Sequence, residues 1–114
     1  MFDITFLNKE DKESVLPQLF HLLCENMSQI APIGNISEQD LKIWMSYIAQ
    51  ELENKGREIL LIKCGNSMVG YFKYSIEGNS LFMEDIQFYR EYWGSGAFAE
   101  LYSFLASIFK LSVD

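Results

Sequence analysis

Residues 84–102 read EDIQFYREYWGSGAFAELY, and the interpretation of the whole chain depends on them. Together with Ser80 to Met83 they begin as a short apolar run, Ser80 to Phe88, that suits a β-strand. An aromatic, glycine-containing turn follows, and then a helix-period pattern from about Ala97 to Phe109. A strand that passes through a glycine turn into a helix leaves backbone N–H groups unpaired at the positive end of the helix dipole. Such a place accepts anions, phosphate above all. Gly94 and Gly96 fit the device, because glycine turns tightly and lets a ligand approach the backbone.

Upstream of this stretch, Gly78-Asn79 marks a turn and Met68 to Ile76 a strand. Gly65-Asn66-Ser67 is a further turn. Glu58 to Cys64 is a nearly continuous apolar run, expected of a strand covered on both faces. Gly56 stops a helix whose start is signalled by Ser37 with Asp40 three residues on. Its stripe is Leu41, Trp44, Met45, Ile48 and Leu52. Ala31 to Asn35, with Pro32 and Gly34, is a loop. Before it, Lys12 to Met27 is a helix with Val15, Leu16, Leu19, Phe20, Leu23 and Met27 on one face, and Pro17 is expected in or near its first turn. Phe2 to Leu7 alternates as a strand. The order is strand, helix, helix, three strands, helix, an α+β domain with a mostly antiparallel sheet flanked by helices.

At 114 residues the chain is one domain, residues 1–114, and 49% apolar content supports a core. A net charge of −7 without a basic cluster disfavours nucleic acid. The acidic balance suits a cationic substrate such as a polyamine or a lysine-rich peptide, or serves solubility. Cys24 and Cys64 have no metal-like spacing and read as thiols of a reducing compartment. No metal-ligand pattern stands out. His21, the single histidine, has no Ser or Cys partner near it in sequence and reads as structural. No leader pattern and no apolar run of membrane length is seen, so a cytoplasmic location is expected.

The central stretch resembles the acetyl-coenzyme A motif of GNAT N-acetyltransferases, in which a strand of the form E-D-L-x-V-x-x-x-Y runs into R-G-x-G-I-G-x-x-L-L. Without a gap, Glu84, Asp85, Ile86, Tyr92, Gly94, Gly96 and Leu101 match. Glu-Asp at this point gives it the flavour of the spermidine/spermine acetyltransferases. Met68-Val69-Gly70-Tyr71-Phe72 is similar to that family's third strand. Trp93 stands where the family has arginine or glutamine, and Phe98 where it has a small residue against the pyrophosphate. The cofactor motif is therefore degraded on its face. A register slid by two restores a small residue there but sets Glu91 at the arginine position, and loses the Glu-Asp and Tyr matches.

The resemblance implies a GNAT-like domain lacking the usual C-terminal β-α-β-β and its general-acid tyrosine, either a short protein or a fragment. It implies acetyl transfer from acetyl-coenzyme A to a primary amine, with no metal. By it, Glu84 is the candidate base and Asp85 a candidate for holding a cationic amine, pointing to opposite strand faces. The alternative for each is an ordinary strand-end acid. The main chain near Gln87 and Phe88 is expected to hold pantetheine, and that of Trp93, Gly94, Ser95, Gly96 and Ala97 the pyrophosphate. The alternative for the two glycines is a plain strand-to-helix turn. Without a fifth strand, Ser80 to Phe88 offers an open edge, and a homodimer through it is expected. The rival is a catalytically inactive binding or dimerisation module gripping through that edge and through Tyr89, Tyr92 and Trp93.

Overall fold

The computed structural model describes residues 2–31, 34–54 and 56–109. Four strands form one sheet in the order β1-β2-β3-β4, every neighbouring pair antiparallel. They are β1 Asp3–Phe6, β2 Arg57–Cys64, β3 Ser67–Glu77 and β4 Ser80–Phe88. The helices are α1 Lys12–Ile30, α2 Glu38–Glu53 and α3 Ala97–Phe109. Short 3₁₀ turns at Lys9–Asp11 and Arg90–Tyr92 lead into α1 and out of β4. The expected α+β order is the observed one. Of the expected loop at Ala31 to Asn35, Pro32 and Ile33 lie outside the described residues.

The sheet separates two apolar clusters. One face of the central strands carries Ile59, Leu61 and Tyr71 against Leu16, Leu19 and Leu22 of α1 and Ile48 of α2. The other carries Leu60, Ile62, Phe72 and Tyr74 against Leu101 and Leu105 of α3. β2 and β3 are thus covered on both sides, which is why their sequences run apolar without strict alternation. Gly70 of β3 is required by close approach: a Cβ there would stand 2.4 Å from a ring carbon of Phe88 across the ladder.

Helix ends follow the residues that satisfy them. At α2, the Ser37 Oγ accepts from the Asp40 N–H at 3.1 Å, and an Asp40 carboxylate oxygen accepts from the Ser37 N–H at 2.9 Å. This is the reciprocal cap that the Ser37–Asp40 spacing predicts. Two expectations for α1 need correction. Pro17 lies well inside α1, which begins at Lys12. The helix forfeits the hydrogen bond that a residue 17 N–H would make, and burial of Leu16, Leu19 and Leu22 outweighs that loss. Leu22, not Met27, belongs to the buried face, and Met27 is half-exposed. On α3 the buried face is Ala97, Leu101 and Leu105, so Phe98 and Ile108 stand outward.

Strand β4 is irregular where its acids lie. Lys73 pairs with Asp85, and the next residue of β3, Tyr74, pairs with Met83. Glu84 is therefore an extra residue, a β-bulge, with no opposite number on β3. The expectation that Glu84 and Asp85 point to opposite faces fails for this reason, since both side chains turn to the α1–α2 face. Among the described residues, no strand pairs with the outer edge of β4.

Candidate functional site

The outer side of β4 opens into a groove of about 300 Å³. Asn26, Gln29 and Ile30 from the end of α1 form one wall, with Ile86, Gln87 and Phe88 as the floor. Trp93 and Phe98, from the turn and the start of α3, form the other wall. Tyr89 N–H bonds to the Val69 carbonyl, so the alternation of antiparallel pairing turns the N–H and carbonyl of Phe88 outward, to the groove. Gln87 pairs inward by backbone and contributes its side chain instead.

The groove end of β4 is held by side chains. The Asn26 amide donates to Gln87 Oε1 at 2.9 Å and to the Phe88 carbonyl at 3.0 Å. The Trp93 indole N–H donates to the same carbonyl at 2.9 Å. The Gln87 amide passes the chain inward, donating to Asp85 Oδ1 at 2.8 Å. The buried Tyr71 hydroxyl donates to Asp85 Oδ2 at 2.5 Å. Burial, and then the Asp85 charge, push the Tyr71 phenol far above its ordinary range, so it stays protonated and keeps its bond to Asp85. Asp85, expected to hold an amine, accepts two internal hydrogen bonds.

Glu84 belongs to a separate cluster of charges. Its two carboxylate oxygens meet Lys73 Nζ at 3.1 Å and Arg57 at 3.2 Å. Both cations also bind Glu51 of α2, at 2.5 Å and 3.0 Å. The buried Glu51 Oε1 has the Lys73 ammonium beside it as an ion pair, although the contact is not aligned as a hydrogen bond. For Lys73, burial disfavours the charge, but the ion pairs with Glu51 and Glu84 outweigh it and hold the ammonium above its ordinary range. The cluster pins the end of α2 to β2, β3 and β4.

The turn after β4 has the shape that its glycines suggest. Gly94 and Gly96 have φ of 78° and 91°, in the left-handed region that other residues avoid. No atom lies within 4 Å of where a Cβ would stand at either position. The space over the backbone is open, at the head of a 13-residue helix. Ser95 Oγ accepts from the Ala97 N–H at 3.3 Å. Phe98 is half-exposed and lines the groove instead of entering the core.

The structure therefore gathers Gln87, Phe88, Trp93 and Phe98 around one groove, with the Gly94–Ala97 turn next to it. Glu84 and Asp85 lie on the α1–α2 face of the same strand, outside the groove lining. Sequence reasoning missed Asn26, Tyr71, Lys73, Arg57 and Glu51. A signal existed for Lys73: a lysine within the buried run Val69 to Tyr74 needs a carboxylate. No metal-binding group of His, Cys, Asp or Glu is present among the described residues.

Solved structures share this arrangement of elements. The PaiA N-acetyltransferase of Thermoplasma acidophilum, crystallised with coenzyme A, matches with a TM-score of 0.64 over 96% of this chain and 72% of its own, at 17% identity. The fold is that of the GNAT acetyltransferases. A Staphylococcus aureus protein named as a GNAT family acetyltransferase matches with a TM-score of 0.68, over 94% of this chain and 90% of its own, at 14% identity. A Trypanosoma brucei acetyltransferase matches at 0.55, over 95% and 74%, with 19% identity. No protein-family model and no curated protein sequence matches the chain. At these identities, what is shared is the GNAT fold: the sheet order, the helices on its two faces and the strand–turn–helix of residues 80–109. None of the described helices is long and apolar enough to cross a membrane.

Proposed function

We propose that this chain binds acetyl-coenzyme A along the outer side of β4 and acts as an N-acetyltransferase on a primary amine. The observation that carries this is the Gly94–Gly96 turn, with left-handed glycines, open space over the backbone, a helix start behind it and a groove beside it. The N–H groups of Trp93, Ser95 and Ala97 already donate within the turn, to the Arg90 and Tyr92 carbonyls and to Ser95 Oγ, which leaves those of Gly94 and Gly96 to meet a diphosphate. The outward N–H of Phe88 and the Gln87 side chain fit the polar arm of pantetheine. The cofactor supplies an acyl group activated as a thioester.

The chain's residues supply placement and a proton acceptor. The bulge sets Glu84 and Asp85 on one face, where Glu84 is balanced by Lys73 and Arg57 and Asp85, bound only by neutral donors, carries the charge that attracts a cationic amine. Glu84 takes the proton of the attacking amine, directly or through water. Lys73 and Arg57 fix its position, so an incoming ammonium competes with them for its oxygens. Polyamines and lysine side chains are the acceptors this charge suits.

Titration calorimetry with acetyl-coenzyme A, followed by thiol release with spermidine or a lysine peptide, tests the proposal. Binding is expected, and Glu84→Gln is expected to lower turnover roughly tenfold or more, with cofactor affinity retained. Absence of heat and of any thermal shift at millimolar cofactor would sink it.

A second reading has its own support. The Phe88 carbonyl already has two donors, and Phe98 and Trp93 occupy the groove walls. In that reading the domain is a non-catalytic module that pairs with a second copy through β4, whose half-exposed Phe82 and Met83 flank the open edge. Light scattering then shows a dimer without cofactor binding, and a strict monomer at high concentration excludes it.

A further inference from the structure

We infer that Arg90 recognises a phosphate of the coenzyme A ligand. This rests on the coenzyme A reading above and assigns one of its contacts to a residue outside the glycine turn. The Arg90 guanidinium lies 5.7 Å from the centre of the Trp93 ring and donates to Gln29 Oε1 at 2.7 Å. Trp93 and Gln29 stand on opposite walls of the groove. The charge is therefore held at the groove's lip by contacts on both sides, a cation–π contact and a hydrogen bond.

Its partners hold it without cancelling it. Gln29 offers a neutral amide oxygen, and the ion pairs among the described residues involve Arg57 and Lys73, not Arg90. Arg90 is exposed, so a ligand reaches it without prior unfolding. The chain carries a net charge of −7, and Glu91 is its sequence neighbour. An anionic ligand approaching this groove meets a repulsive field that a positioned guanidinium offsets locally. Guanidinium also matches phosphate in a two-pronged fashion that a lysine does not reproduce.

The experiment is calorimetric titration of the intact protein and of Arg90→Ala and Arg90→Lys, using coenzyme A and, separately, pantetheine, at two salt concentrations. Melting temperatures of the variants should match the unaltered protein, since Arg90 supports no buried group. Arg90→Ala should weaken coenzyme A roughly tenfold or more, leave pantetheine unchanged and flatten the salt dependence. Arg90→Lys should recover part of the loss. Equal coenzyme A affinity and salt dependence in Arg90→Ala overturn the assignment while leaving the coenzyme A reading intact. A parallel loss for pantetheine also overturns it, because Arg90 would then shape the groove instead of contacting phosphate. If the unaltered protein binds no coenzyme A, the function proposed above fails and this assignment falls with it.

Discussion

Tyr71 and Tyr74 show what single residues contribute. They occupy opposite faces of β3 and are almost fully buried. Tyr71 gives its hydroxyl to Asp85, while burial and then Glu58 push Tyr74 from the ordinary 10.0 up to about 12. Lys73 between them is also held above its ordinary range. All three shifts have one sign. As pH rises through the window from 10.0 to about 12, the unfolded chain releases protons that the folded chain retains. Stability is therefore full below that window and falls on entering it. Urea midpoints at about pH 8 and about pH 11 should show the drop, and Tyr74→Phe should reduce it. A midpoint that is flat across that range would contradict these burials. In the sequence, Tyr71, Lys73 and Tyr74 were legible as strand residues. Their partners were not, because a partner across the ladder depends on register, and the register here is broken at Glu84.

The break belongs to the scale of elements. β4 was legible from end to end, Ser80 to Phe88, and so were the turns before and after it. Its bulge was not recognised, although the residues carry a trace of it. Leu81 and Ile86 both pack on the α3 side, yet they are five residues apart, which a regular strand would place on opposite faces. One extra residue between them reconciles the two. Removing Glu84 would therefore leave a regular ladder with Leu81, Ile86 and Phe88 still facing α3. Such a deletion, ordinarily ruinous in a strand, should yield a cooperatively folded domain destabilised by no more than about 2 kcal/mol, since Lys73 and Arg57 keep Glu51. Circular dichroism and urea unfolding would check this, and a molten or aggregated product would refute it. Pro17 departs from its expected place for a different reason. Propensity argued for the first turn, and the packing of three leucines prevailed.

For the whole molecule, the succession of elements and the antiparallel meander were readable from turn glycines and apolar periods. The glycine turn was also readable, because its geometry is local. One side of the groove was not: Asn26 and Gln29 come from α1, which tertiary packing alone brings to β4, whereas Trp93 and Phe98 lie in the stretch that follows β4 and were legible with it. The sheet also has an energetic consequence. It stands between the two clusters, so side chains on its opposite faces adjust to losses separately. Ile48→Val on one side and Ile62→Val on the other should each cost roughly 0.5–1.5 kcal/mol. Their double variant should lose close to the sum, to within about 0.5 kcal/mol. The domain thus behaves as two thermodynamic compartments divided by one backbone wall, and injury to one is not repaired by repacking the other.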